Sequence, residues 1–195
     1  MALITLNNRS INRSDTASSG QIWTATSATA SDFQDAGGGI TEVDQWRISA
    51  DNAMSSSGNN DITANWERND NSGFGRLGTG MTESSGIFTF PSTGIWLIRI
   101  VYDVIAGGSS GADIAADAKI STTIDNGSNW VQQTATYANM HGNGAYGVGT
   151  GEFTFDVTST TNCKAKFRYY RSTSGSILRG STDQNETHAT FMRLG

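Results

Sequence analysis

The chain of 195 residues has one cysteine, one proline and two histidines. A single thiol, Cys163, cannot form an internal disulfide, so the fold must be held by packing alone. Two histidines and one cysteine do not make a metal-ligand set. Lysine and glutamate are scarce, and long helices draw on both. No stretch approaches the roughly 18 apolar residues that a membrane-spanning helix needs. Positive charge is also short: 13 Lys and Arg against 18 Asp and Glu leave a net charge of −5. An acidic chain gains little counterion-release energy from nucleic acid, so DNA and RNA are disfavoured as partners. MALITLNNRS has no basic segment followed by an apolar run, so no secretion signal is read there, and synthesis in a cytoplasm is expected.

What the chain does have is glycine, serine, threonine and asparagine, with 23 glycines in all. Strands separated by tight turns use this composition. Residues 1–41 stand apart. They are rich in Ser, Thr and Ala, and their large apolar residues are few and isolated: Leu3, Ile4, Leu6, Ile22, Trp23 and Phe33. Such a segment cannot bury enough surface to fold alone. We expect an extended N-terminal arm that anchors the molecule to another surface through those six side chains and by backbone pairing. Gly37-Gly38-Gly39 forms the joint to residues 42–195.

Beyond the joint the hydrophobic period is mostly two, which predicts strands. Expected strands cover residues 43–48, 62–68, 86–90, 94–104, 119–124, 130–135, 152–157, 163–170 and 187–194. Asp125-Asn126-Gly127 marks a hairpin turn. Residues 107–118 are expected as a loop, with one helical turn at 114–118. The segments 50–61 and 142–151 also read as loops. In the strand from Gly94, alternation places Trp96, Ile98, Ile100 and Tyr102 on one face and Leu97, Arg99, Val101 and Asp103 on the other. The first set suits a core. The second is too apolar at Leu97 and Val101 for a plain solvent face.

Patterns that would carry chemistry are weak. Gly73-Phe74-Gly75-Arg76-Leu77-Gly78 matches Gly-x-Gly-x-x-Gly, but no helical pattern follows to hold a dinucleotide. Gly107-Gly108-Ser109-Ser110-Gly111 matches a nucleophile elbow, with His141 or His188 as its base, yet its flanks read as loop. Asp113, Asp117 and Asp125 are acidic, but no loop alternates carboxylates toward a closing glutamate as a calcium site does. Cys163 lies in an alternating strand and reads as a core residue. No enzymatic activity and no cofactor are expected.

One stretch is more specific. Gly86-Ile87-Phe88-Thr89-Phe90-Pro91-Ser92-Thr93-Gly94-Ile95-Trp96-Leu97-Ile98 resembles the signature of the C1q/TNF superfamily, in which Gly-x-Phe leads through Pro-x-x-Gly-x-aromatic into a long central strand. Ala189-Thr190-Phe191-Met192-Arg193-Leu194 is similar to the family's last strand. The resemblance implies an all-β jelly-roll β-sandwich and a homotrimer. Leu97, Arg99 and Val101 are assigned to the subunit interface. A collagen stalk and a membrane anchor, which animal members of the family carry, are not expected from this sequence. Glycine-, Ser/Thr- and Asn-rich chains with this motif are similar to bacteriophage virion proteins. The expected role is therefore a trimeric capsid decoration (cement) protein whose arm grips the major capsid protein or another virion protein. The alternative is a tail-fibre tip or adhesin binding a host receptor, with exposed loop aromatics such as Tyr137 or Tyr146 in contact.

Overall fold

The computed structural model describes residues 5–6, 9–10, 21–25, 31–35, 39–54, 58–107, 113–171 and 175–195. The chain divides into two compact units, Met1–Gly39 and Ile40–Gly195. In the first, β1 (Thr5–Leu6) pairs antiparallel with β2 (Arg9–Ser10), and β3 (Gln21–Ala25) with β4 (Ser31–Asp35). Trp23 stands opposite Phe33, Ile22 opposite Gln34 and Leu6 opposite Arg9. Leu3 and Ile4 lie outside the described residues.

The second unit is a jelly-roll sandwich of two antiparallel sheets. Its strands are β5 (Glu42–Ile48), β6 (Ala50–Ala53), β7 (Gly58–Asp61), β8 (Trp66–Arg68), β9 (Thr82–Ser84), β10 (Ile87–Thr89), β11 (Gly94–Ile105), β12 (Asp113–Thr123), β13 (Val131–His141), β14 (Tyr146–Val157), β15 (Lys164–Arg171), β16 (Ile177–Ser181) and β17 (His188–Arg193). In the first sheet β8, β5, β17, β11 and β14 lie side by side. β16 pairs with the far end of β11, and β6 pairs with β16. The second sheet runs β13, β12, β15, β10, β9, with β7 pairing the far end of β15.

The long strand β11 alternates as its sequence requires. Trp96, Ile98, Ile100, Tyr102 and Val104 are buried between the sheets. Phe88 and Phe90 of the family-like motif enter the same core, flanking the β10 exit toward Pro91. Phe88 meets four other rings edge-on or tilted, with centroids 5.0 Å away for Trp66 and Phe191, 5.4 Å for Phe167 and 5.6 Å for Trp46. Gly86 is required by the turn before it. Ser85 and Gly86 form a two-residue hairpin loop with φ of 52° and 81°, and a Cβ at Gly86 would stand 2.2 Å from the Ile62 carbonyl oxygen.

Three segments expected as loops are strands. Residues 113–123 form β12, with no helical turn, because Ala116, Ala118 and Ile120 all face the core and both edges of the strand are paired. Pairing and burial override alanine's weak strand preference. In the glycine-rich stretch, β14 already begins at Tyr146. Gly147, Gly149 and Gly151 fall at alternate positions facing inward, and a methyl group at Gly149 would come 2.2 Å from the Tyr102 ring. The glycines are the space that the Tyr102 and Met140 side chains occupy. Residues 50–61 supply β6 and β7, short edge strands whose ladders come from β16 and β15.

Tyr102 donates its hydroxyl hydrogen within reach of the carbonyls of Thr136, at 2.9 Å, and Ala116, at 3.2 Å. Burial pushes its phenol up to about 12. The unfolded phenol ionises near 10 and the folded one near 12, so the stability tied to the neutral phenol is complete below pH 10 and is lost as pH rises toward 12. The loss amounts to roughly 2–3 kcal/mol over that window. In alkaline melts, Tyr102→Phe is expected to flatten this part of the curve while lowering stability near neutrality by about 1 kcal/mol. Equal alkaline slopes in both proteins would assign the loss to other groups.

Candidate assembly face and polar cleft

The outward side of the first sheet is built around the same β11. Leu97 and Val101 are half-buried on it and Arg99 is exposed. Cross-strand register surrounds Leu97 with Thr154 of β14 and Met192 of β17, and Val101 with Thr150 and His188. Ile95, Val148 and Tyr146 extend the apolar surface along β11 and β14, and Val43 and Leu77 extend it beyond β17. Val148 and Tyr146 are 62% and 65% exposed in the single chain, a high value for side chains of this kind. Arg99 stands opposite Glu152 on one side and Thr190 on the other, so a carboxylate is already in register with the one cation in the middle of the face.

His188 lies between Val101 and Arg47 in register, and its Nδ1 donates to the Glu186 carbonyl at 3.1 Å. Burial lowers the imidazole's proton affinity, and the charge of Arg99 lowers it further. Both effects favour the neutral imidazole on this face. At the edge, Arg47 is fully buried under the chain segments 67–71 and 182–185. Its guanidinium reaches Glu67 at 3.1 Å, Asp70 at 2.6 Å and the Asn71 side chain at 2.9 Å.

A second feature opens at the side of the sandwich, where β6 of one sheet faces β7 of the other. It is a cleft of about 470 Å³ whose polar lining is Asn52, Asn59, Asn60, Asp61, Thr63 and Arg168. Asp61 is clamped by Lys166 and Arg168, each at 2.8 Å. Asn59 accepts a hydrogen bond from Lys119, whose ammonium is 3.2 Å from Asp117 and 5.4 Å from the centre of the Tyr170 ring. Lys119 and Asp117 are both buried on the outward side of β12, an expensive placement for an ion pair. The cleft was not legible as a site in the sequence, because residues 50–61 read as a loop. Asn59 and Asp61 two residues apart on one side of a strand were the available sign.

The remaining candidates fall elsewhere. Asp125 caps the 125–129 turn, accepting from the Thr123 hydroxyl at 2.6 Å and from the Asn129 backbone at 2.9 Å. These hydrogen bonds, with Thr123 foremost, hold its carboxyl down at about 2. Among the described residues no group of three His, Cys, Asp or Glu is placed to hold a metal. The side chain of Asp113 lies outside the described residues, as does Ser109 of the Gly-x-Ser-x-Gly match. Gly73–Gly78 is a loop that leads to β9, not to a helix. Cys163 is buried in the core. Tyr137 is exposed on β13, opposite Asp117, and Tyr146 borders the assembly face under Arg179, so neither sits in a loop. The six arm residues belong to the first unit: Leu6, Ile22, Trp23 and Phe33 are placed in hairpin strands, and their side chains are not described.

No family model matches the sequence, and no curated protein matches it. Solved structures do match. A crystal structure of murine APRIL at pH 8.5 aligns with a TM-score of 0.54 at 14% identity, over 78% of this chain and 98% of that one. The structure of Eiger TNF from S. frugiperda aligns with a TM-score of 0.55 at 7% identity, over 78% and 92%. At such identities the match concerns the fold, which is the TNF-like jelly roll.

Proposed function

We propose that this chain is a non-enzymatic, self-trimerising structural subunit of a phage virion, a capsid decoration protein attached through its N-terminal arm. The observation that carries the self-association is the apolar outward face of the first sheet. Leu97, Val101, Ile95, Met192 and Val148 share the outward face of the paired strands β11, β14 and β17, with Arg99 opposite Glu152 at its centre. Three copies meeting through this face would bury it, and the C1q/TNF resemblance implies that same stoichiometry. The arm supports attachment: it is a unit of its own, low in large side chains, joined to the sandwich beside Gly39.

Sedimentation of the whole protein at micromolar concentration is expected to give a trimer. The double substitution Leu97→Arg with Val101→Glu is expected to give a folded monomer, with association weakened by at least a hundredfold. A wild-type monomer, or a double variant that stays trimeric, removes this face from the assembly. Deleting residues 1–36 is expected to leave folded trimers that no longer bind particles. Unfolding or monomers on that deletion would make the arm part of the fold instead.

The polar cleft favours a second reading, a tail-fibre tip or adhesin that binds a receptor on the host surface. A map of the intact particle separates the two: trimers at lattice positions on the head support decoration, and trimers confined to the tail support the tip.

A further inference from the structure

We infer that the cleft between β6 and β7 is a binding site for a neutral saccharide, independent of where the protein sits on a particle. The size is suitable, since about 470 Å³ falls among small-molecule sites. The lining decides the chemistry. Asparagine amides and a threonine hydroxyl carry donors and acceptors on the same groups, which is what sugar hydroxyls require, because each of them both donates and accepts. Asn60 commits one amide hydrogen to the Gly58 carbonyl, and Asn59 its oxygen to Lys119. Among the described lining residues one cation, Arg168, is paired with one carboxylate, Asp61, and the second cation on Asp61, Lys166, lies outside the lining, so no unpaired charge lines the cleft for an anionic ligand. Ala53 and Ala64 are the small residues of the wall, which leaves room for a ring, and Tyr169 reaches the cleft only with the edge of an otherwise buried side chain.

The polar groups are also held in place before any ligand arrives. Asp61 is fixed by two cations from β15, one on each carboxylate oxygen, and its side chain remains 36% exposed. Asn59 is oriented by Lys119: with its carbonyl oxygen occupied, its amide hydrogens are the groups left to donate. Lys119 is itself set by Asp117 and Tyr170. The buried ion pair on an outward sheet face thereby has a role, as a support behind Asn59 on rigid strands. Its own cost is visible: Asp117 keeps one oxygen, Oδ1, that is buried without a hydrogen-bond partner. The cleft binds and does not cleave, since glycoside hydrolysis uses a pair of carboxylates and Asp61 is the only acid among the described lining residues.

The test is direct binding to the full-length protein. A panel of immobilised neutral hexose and N-acetylhexosamine oligosaccharides is compared with sulfated and uronate-bearing ones, and a retained sugar is then titrated calorimetrically. We expect neutral sugars to bind with millimolar or tighter affinity. Asn59→Ala should weaken binding at least tenfold with an unchanged oligomeric state. Thr63→Val, at an exposed loop position, serves as a second variant if Asn59→Ala disturbs folding, and should weaken binding several-fold. Retention of anionic sugars alone, no retention at all, or undiminished binding by both variants would overturn the assignment. None of these outcomes depends on trimer formation or particle attachment, so the two proposals fail separately.

Discussion

Phe88→Ala is expected to destabilise the sandwich by about 3–5 kcal/mol, the range for deleting a fully buried aromatic ring. The reason for the upper part of that range is the position. Phe88 touches rings from both sheets: Trp46 and Phe191 from the first, Phe167 from the second, and Trp66 at the edge. Four ring contacts vanish together, and four rigid aromatics cannot relax into the space as aliphatic chains might. For a unit of this size the change corresponds to a fall in Tm of roughly 6–20 °C. Phe153→Ala is the comparison, because Phe153 packs at the rim and is only partly buried, so a fall of less than half as much is expected. The melts should be run at one protein concentration, since the proposed assembly would add a concentration-dependent contribution. A Phe88→Ala fall no larger than that of Phe153→Ala would show that the ring cluster is not the centre of the core.

The second large effect is expected at Arg47. Its side chain is fully buried, and its nitrogens reach Glu67, Asp70, Asn71 and Asn69, with Thr182 at 3.5 Å. Truncation to alanine strands the Glu67 carboxylate and leaves Asn69 with a lost donor, both in a crowded setting. Breaking a buried pair by removing one partner costs about 3–5 kcal/mol, and the lower end is expected here because Glu67 and Asp70 keep 31% and 72% of their side chains exposed. Lysine cannot substitute, because a single ammonium cannot serve partners arranged around a planar guanidinium. The damage should also be local. The segment 69–74 and the 182–185 turn are both held by this group, so proteolytic cleavage of the native protein there is expected to accelerate at least tenfold. Replacing Arg47 by Met together with Glu67 by Gln should recover part of the stability, since no charge is then stranded. A loss below about 1 kcal/mol in the single variant would contradict this account.

Legibility in the sequence followed side-chain bulk. β11 and β17 were evident because large and β-branched residues alternate along them, and the Gly86–Ile98 motif carried its turn residues at the required places. The first halves of β12 and β14, ahead of the expected strands at 119–124 and 152–157, were hidden because their inward positions are alanine and glycine. There the space belongs to a neighbour's side chain, such as Tyr102 over Gly149, and a small residue leaves no hydrophobic mark of its own. The outward direction of Leu97, Arg99 and Val101 came from period alone. The cleft did not, because it is assembled from residues more than 100 positions apart, Asn59 and Arg168 among them, on two strands that only the pairing of β7 with β15 brings together. The buried pair Asp117 and Lys119 was equally unreadable: two charges at alternate positions of a strand signal a wet surface until the neighbouring strands are placed.

The position of β17 between β5 and β11 has a bearing on timing. β5 is among the first strands of the sandwich to leave the ribosome, and its neighbour is the last. Roughly 140 residues separate them, about 7–30 s of synthesis at ordinary rates. Until then β5 has an unpaired edge and the surface carrying Leu97 and Val101 lacks its flank of Met192 and His188. A nascent chain therefore has no finished face to offer to another nascent chain on the same message. Under the proposed assembly, recognition between copies would wait for the most non-local pairing in the domain, so that only chains already closed could find one another.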